Sequence, residues 1–178
     1  MGPRGTFQAQ WNVTPSGQER RHHAPHIRPL LTEGDEAAAM ARAEVLATDA
    51  AGTGQLIYAS TKLALSRWVR RTAATDAWAG AGIPLNAAAP GIIATPMTAD
   101  LIATAEGREQ LLHVHPMPLN GIAEPIVVAR LLAWLNSEEN THLCGQVIYI
   151  DGGSDAVLRG DSVCKDCAAV RLPRQLKP

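Results

Sequence analysis

Two short apolar runs, each closed by a glycine turn, constrain this chain more than any other feature of it. Ile83-Pro84-Leu85-Asn86-Ala87-Ala88 reads as a buried strand ended by Pro90-Gly91. Pro84 lacks an amide hydrogen and belongs at that strand's start. Gln146-Val147-Ile148-Tyr149-Ile150 reads as a second strand, turned out by Asp151-Gly152-Gly153. Helical patterns surround both. Helices alternating with short buried strands specify an α/β domain with a parallel sheet.

The helical patterns are legible one by one. Thr32-Glu33-Gly34-Asp35 precedes an alanine-rich run with high helix propensity and an acidic first turn. After a connector at 50–54, a long helix is expected from near Tyr58 towards Trp78. Leu63, Trp68, Val69 and Ala73 fall near helical spacing while Arg67, Arg70 and Arg71 face outward. Gly80 and Gly82 should end it. A loop and a short helix are expected from Thr95 to about Leu112. A further helix, roughly Pro125 to Leu135, opens with proline in its first turn.

The flanks differ in character. Residues 1–29 are rich in Gly, Pro, Gln, Arg and His and show neither helical nor strand period, so an irregular or disordered segment is expected. Residues 30–161 carry the fold, and residues 162–178 read as a loose basic tail. His22, His23 and His26 stand among arginines without a carboxylate nearby, and Cys164 and Cys167 form a lone C-x-x-C. Neither group makes a convincing metal site. Cys144, just before the second strand, reads as a small core residue.

A net charge of −1 offers no electrostatic footprint for nucleic acid or an anionic membrane. No apolar run approaches a bilayer's thickness, and the first residues lack the apolar stretch of a secretion signal. With an odd number of cysteines, 3, a disulfide framework is not expected, and a reducing cytoplasm is.

One local constellation carries chemistry. Tyr58-Ala59-Ser60-Thr61-Lys62 sets a phenol and an ammonium at i and i+4, on one helix face. A nearby ammonium stabilises phenolate over phenol. Such a tyrosine can give a proton to a carbonyl oxygen or take one from an alcohol. The bland alternative is two surface residues spaced four apart.

Context narrows the choice. The run YASTKLALSRWVRR, then AGIPLNAAAPGIIATPMT, then GQVIYIDGGSDAVLRGD resemble, in that order and spacing, the short-chain dehydrogenase/reductase family. The resemblance covers roughly Leu30 to Asp161. The alanine-rich helix PLLTEGDEAAAMARAEV, the segment WVRRTAATDAWAGAG and the ending DGGSDAVLRGD are similar to its 3α-hydroxysteroid dehydrogenase/carbonyl reductase subgroup.

The resemblance implies the C-terminal part of a Rossmann-like doubly wound parallel sheet, with the N-terminal nucleotide-binding half missing. It implies NAD or NADP as cofactor and hydride transfer to or from a small-molecule carbonyl or secondary alcohol, steroid-like or otherwise hydrophobic. Tyr58 matches the general acid/base, and Lys62 the lysine that binds the nicotinamide ribose. Pro90, Gly91, Ile93 and Thr95 match the loop that closes over the nicotinamide. There the Ile93 backbone would meet the carboxamide, and Thr95 would bond to the carboxamide or the pyrophosphate. Asn86 matches a strand asparagine expected to be structural. Thr98 to Leu119 would form the substrate lid. An intact member would be a homo-oligomer, with the tyrosine helix in the dimer interface.

The pattern also breaks. A glycine-rich turn lets backbone approach the cofactor pyrophosphate at a helix N-terminus. Gly2, Gly5 and Gly17 have no strand or helix pattern around them to make one. Ala41 to Leu56 holds no serine to serve as the catalytic hydroxyl. With the subgroup's insertion Ser16 falls at a suitable distance, although Thr14-Pro15-Ser16-Gly17 does not resemble the strand end that presents this residue. Three origins fit: a frame whose upstream part was lost or shifted, a degenerate remnant, or one half of a two-chain protein. The abrupt start of the resemblance favours the first. A non-catalytic α/β interaction module is the alternative function.

Overall fold

The structure, a computed structural model, describes residues 7–8, 27–49 and 53–160. Three parallel strands form one sheet in the order β1-β2-β3: β1 Phe7–Gln8, β2 Ala87–Pro90 and β3 Val147–Ile150. Phe7 pairs with Ala87, and Ala87 through Pro90 pair with Val147 through Ile150. The helices are α1 Ile27–Glu33, α2 Glu36–Asp49, α3 Thr53–Thr72, α4 Ala105–Val114, α5 Pro125–Leu135 and α6 Ser154–Arg159. The α/β class with parallel strands is therefore as the sequence reads.

The segment expected to be irregular up to residue 29 contributes to two elements. Phe7–Gln8 adds a short strand beside β2, and Ile27 to Pro29 form the first turn of α1. Ile27 is the reason the helix starts early. Its side chain is buried, and α1 packs against both α2 and α3. Of the Thr32-Glu33-Gly34-Asp35 stretch, the first two residues end α1 and the last two separate it from α2. Gly34 takes a left-handed turn (φ 83°), and the Asp35 carboxylate accepts the Ala38 N–H at 3.0 Å to start α2.

The long helix also differs from expectation. α3 stops at Thr72, well before Gly80 and Gly82. The Thr75 hydroxyl donates to the Thr72 carbonyl (2.7 Å), and the Thr75 carbonyl receives the N–H groups of Trp78 and Gly80. Local hydroxyl bonding thus offers the backbone an alternative to the helical ladder. Arg70 and Arg71 in the last turn complement the helix dipole. The chain then folds back so that the Trp78 ring meets Trp68 edge to face, with centroids 6.2 Å apart.

Val69 and Ala73 pack on Leu85 and Ala87, with Trp68, Trp78, Cys144 and Val147 around them. This is the core under the amino ends of β2 and β3. Cys144 is half-buried there, its thiol 3.4 Å from the Ala73 carbonyl. The alanines of β2 are wholly buried, and their small side chains leave room for close packing on both faces.

β2 begins later than the apolar run suggests, at Ala87 rather than Ile83. The Asn86 side chain explains the shift: it occupies the groups that the neighbouring strand would offer to a regular ladder. Its amide donates to the Leu143 carbonyl at 2.6 Å, and its oxygen accepts the Gln146 N–H at 3.0 Å. α5 has the bounds that the sequence predicts, with Pro125 at its start and Val128 and Leu135 buried. Among the described residues no helix is long and apolar enough to cross a membrane.

Candidate active site

Tyr58 and Lys62 lie one turn apart on α3, and the Lys62 ammonium stands 5.2 Å from the centroid of the Tyr58 ring. That is a cation–π distance, with the ring partly exposed and the lysine half-buried. Between them Ser60 is fully buried and turned to the opposite face. The Thr61 hydroxyl donates to the Tyr58 carbonyl at 2.7 Å. The rise of α3 puts Tyr58 about 16 Å along the helix axis from Val69.

The carboxyl end of β2 runs into Gly91, Ile92 and Ile93, all three buried. Gly91 is required by space. A Cβ there would lie 2.9 Å from the Asp151 Cα, a backbone atom that cannot move aside. The Gly91 N–H donates to the Ile150 carbonyl and continues the sheet by one bond. Ile93 then forms a parallel bridge to Ala123. In that bridge the Ala123 N–H donates to the Ile92 carbonyl (3.0 Å) and the Ala94 N–H to the Ala123 carbonyl (2.9 Å).

This geometry aims the Ile93 N–H and carbonyl away from Ala123. The carbonyl takes a short bond, 2.6 Å, from the Thr98 hydroxyl. Among the described residues no hydrogen bond engages the Ile93 N–H.

Thr98 organises the turn that follows. With its hydrogen committed to Ile93, its oxygen accepts the Thr95 N–H at 3.0 Å. In the 3.4 Å contact between the two hydroxyls Thr95 is then the donor, which leaves its lone pairs available. The sequence marks Thr98 only as the lid's first residue. Its spacing of three from Thr95 is the sole local signal of this role.

Asp151, read from the sequence as part of a turn, is buried, its carboxylate accepting the N–H groups of Gly153 (3.0 Å) and Asp155 (2.7 Å), and so it fixes the turn between β3 and α6. Met117 reaches back from the lid to the Ile92 amide. Asp155 and Arg159 form a bidentate ion pair on α6, with the guanidinium 4.8 Å from the Tyr149 ring centroid. Asn86 is structural, as its bonds show. Ser16, His22, His23, His26, Cys164 and Cys167 lie outside the described residues.

Residues 21–155 match the protein family described as enoyl-(acyl carrier protein) reductase. The 3α-hydroxysteroid dehydrogenase/carbonyl reductase of Comamonas testosteroni is 38% identical over 129 residues, covering 72% of this chain and 48% of that protein. The 3-oxoacyl-acyl-carrier-protein reductase of Thermotoga maritima is 40% identical over 100 residues, 56% of this chain and 38% of its own length. Among solved structures, a 3α-hydroxysteroid dehydrogenase from Pseudomonas sp. B-0831 in complex with NADH superposes with a TM-score of 0.67 at 29% identity. It covers 86% of this chain and 57% of that one. The chain thus spans about half the length of the curated relatives it matches.

Proposed function

The chain belongs to the short-chain dehydrogenase/reductase family, and from that premise we propose that it serves hydride transfer between NAD(P) and a carbonyl or secondary alcohol. One observation carries the reading. Tyr58 and Lys62 share a face of α3 with the ammonium 5.2 Å from the ring centroid, while the loop after β2 offers at Ile93 a backbone donor that no hydrogen bond engages among the described residues. When bound, the nicotinamide supplies or receives the hydride.

The chain's own residues do the rest. The Tyr58 hydroxyl gives its proton to the carbonyl oxygen in reduction and takes it back in oxidation. Lys62 holds positive charge beside that ring and would bind the ribose. The Ile93 N–H suits the carboxamide oxygen, and Gly91 keeps the loop close to Asp151 so that the donor stays in place. The Thr95 hydroxyl keeps its acceptor capacity for the carboxamide or pyrophosphate side. Ser16 would polarise the substrate oxygen.

Steroid-like or other hydrophobic ketones are the substrate class that this reading favours. The lid exposes Leu101, Val114 and Leu119, and Met97 just before it is exposed too, apolar side chains suited to an apolar substrate. Homo-oligomer formation through α3 belongs to the same reading. The open groove of about 300 Å³ lined by Leu31 of α1 and by Thr61, Ala64, Leu65 and Trp68 of α3 lies between those two helices. A cytoplasmic setting, where thiols stay reduced, suits the unpaired Cys144.

Titrating the 178-residue chain with NADH and with NADPH, then supplying a model ketone, tests the proposal. Saturable binding and ketone-dependent loss of NAD(P)H are expected. A second reading, a non-catalytic interaction module, is favoured by the lack of a glycine-rich pyrophosphate turn in the sequence. No binding of either nucleotide, in a chain shown to be folded by circular dichroism, would select it.

A further inference from the structure

Three distant parts of the chain converge at the carboxyl end of the sheet: Gly91-Ile92, Met117 to Leu119, and Asp151 to Gly153. The Leu119 N–H donates to the Gly152 carbonyl at 2.9 Å, and a Cβ on Gly152 (φ 63°) would stand 2.8 Å from the Leu119 carbonyl oxygen. The Met117 methyl carbon lies 2.9 Å from where a Cβ on Gly91 would be. Met117 is only 6% exposed, whereas Met97 in the same excursion is 79% exposed.

The Ile92 N–H donates to the Met117 sulfur at 3.3 Å. Ile92 is 7% exposed, so water does not readily reach that amide. Its carbonyl is already taken by Ala123. A thioether is a weak acceptor, yet it is the one that the fold supplies to a buried donor.

We propose that Met117 is a positioning residue: its sulfur holds the Ile92 amide and so sets the backbone of Gly91 to Ile93 that faces the cofactor. It thereby ties the end of the lid to the loop after β2. The cofactor-facing role of that loop rests on the reading under Proposed function. The hydrogen bond itself does not.

Replacing Met117 by Leu keeps an apolar side chain of similar volume and removes the acceptor. Amide hydrogen exchange is then followed by NMR in the uniformly ¹⁵N-labelled full chain. The Ile92 amide should exchange faster by on the order of tenfold, the scale of a buried donor left unpaired. The amides of Val69 and Leu135 should keep their rates. Norleucine in place of methionine, the same shape without sulfur, should reproduce the effect and covers the case that Met117→Leu does not fold. Selenomethionine retains an acceptor and should keep Ile92 slow.

An unchanged Ile92 rate in the folded variant overturns the proposal. So does equal acceleration at Ile92, Val69 and Leu135, which would make Met117 a packing residue only. NADH titration of the same samples keeps the two readings apart. A wild-type chain that binds no NADH defeats the proposed function and leaves the exchange result standing. A wild-type chain that binds NADH while Met117→Leu leaves Ile92 unchanged defeats only the positioning role.

Discussion

The Asn86 side chain bonds across the sheet to the backbone of Gln146, its oxygen accepting that N–H at 3.0 Å while its amide donates to Leu143 at 2.6 Å. Fully buried, it does for two segments what a further pair of ladder bonds would do, and it sets the register from which β2 and β3 run to the site.

Asn86→Leu should therefore destabilise the fold by about 1–3 kcal/mol. The Gln146 N–H would lose its acceptor, and the Leu143 carbonyl would keep only the longer bond from the Asn140 amide, 3.4 Å. Urea unfolding measures this. A loss within about 0.5 kcal/mol would show that water or a shifted backbone replaces the side chain.

Tyr58→Phe tests the chemistry separately from the fold. The ring and its contact with the Lys62 ammonium are retained, and only the transferable proton is lost. Ketone reduction should fall on the order of 10²–10⁴-fold, with NADH binding nearly unchanged. Turnover equal to wild type would remove Tyr58 from the acid/base role.

Gly91→Ala places a methyl 2.9 Å from the Asp151 Cα. Overpacking of this kind costs about 1–3 kcal/mol and should move the loop away from β3. Thermal denaturation reads the first effect, and weaker NADPH binding the second. Full retention of both Tm and affinity would show that the turn at Asp151 yields readily.

Thr98→Val removes the hydroxyl that serves the Ile93 carbonyl and the Thr95 amide but keeps the shape. A loss of about 1–2 kcal/mol is expected, with Thr98→Ser restoring most of it. If Ser and Val behave alike in urea unfolding, the methyl group matters and the hydroxyl does not.

α5 was readable with its approximate bounds, because proline at a helix start and apolar spacing are local signals. The Tyr58–Lys62 pair was readable for the same reason: a spacing of four on a helix brings two side chains together whatever the rest of the chain does. Gly91 was readable as a turn, but the backbone of Asp151 that makes glycine obligatory stands far along the sequence. The ends of α3 and β2 were misplaced because side chains, those of Thr75 and Asn86, compete with regular backbone bonding at those points.

The α/β class, the place of α5 and the pairing of a phenol with an ammonium on one helix are written in the local pattern of the chain. Each depends on contacts between residues a few positions apart or on periodic burial. That Thr98 closes the turn after Ile93, that Asn86 bridges to Leu143 and Gln146, and that Met117 holds the Ile92 amide follow from the three-dimensional fold alone. These partners are chosen by how the chain returns on itself. The energy of a buried hydrogen bond depends on the group across from it, which no local pattern names.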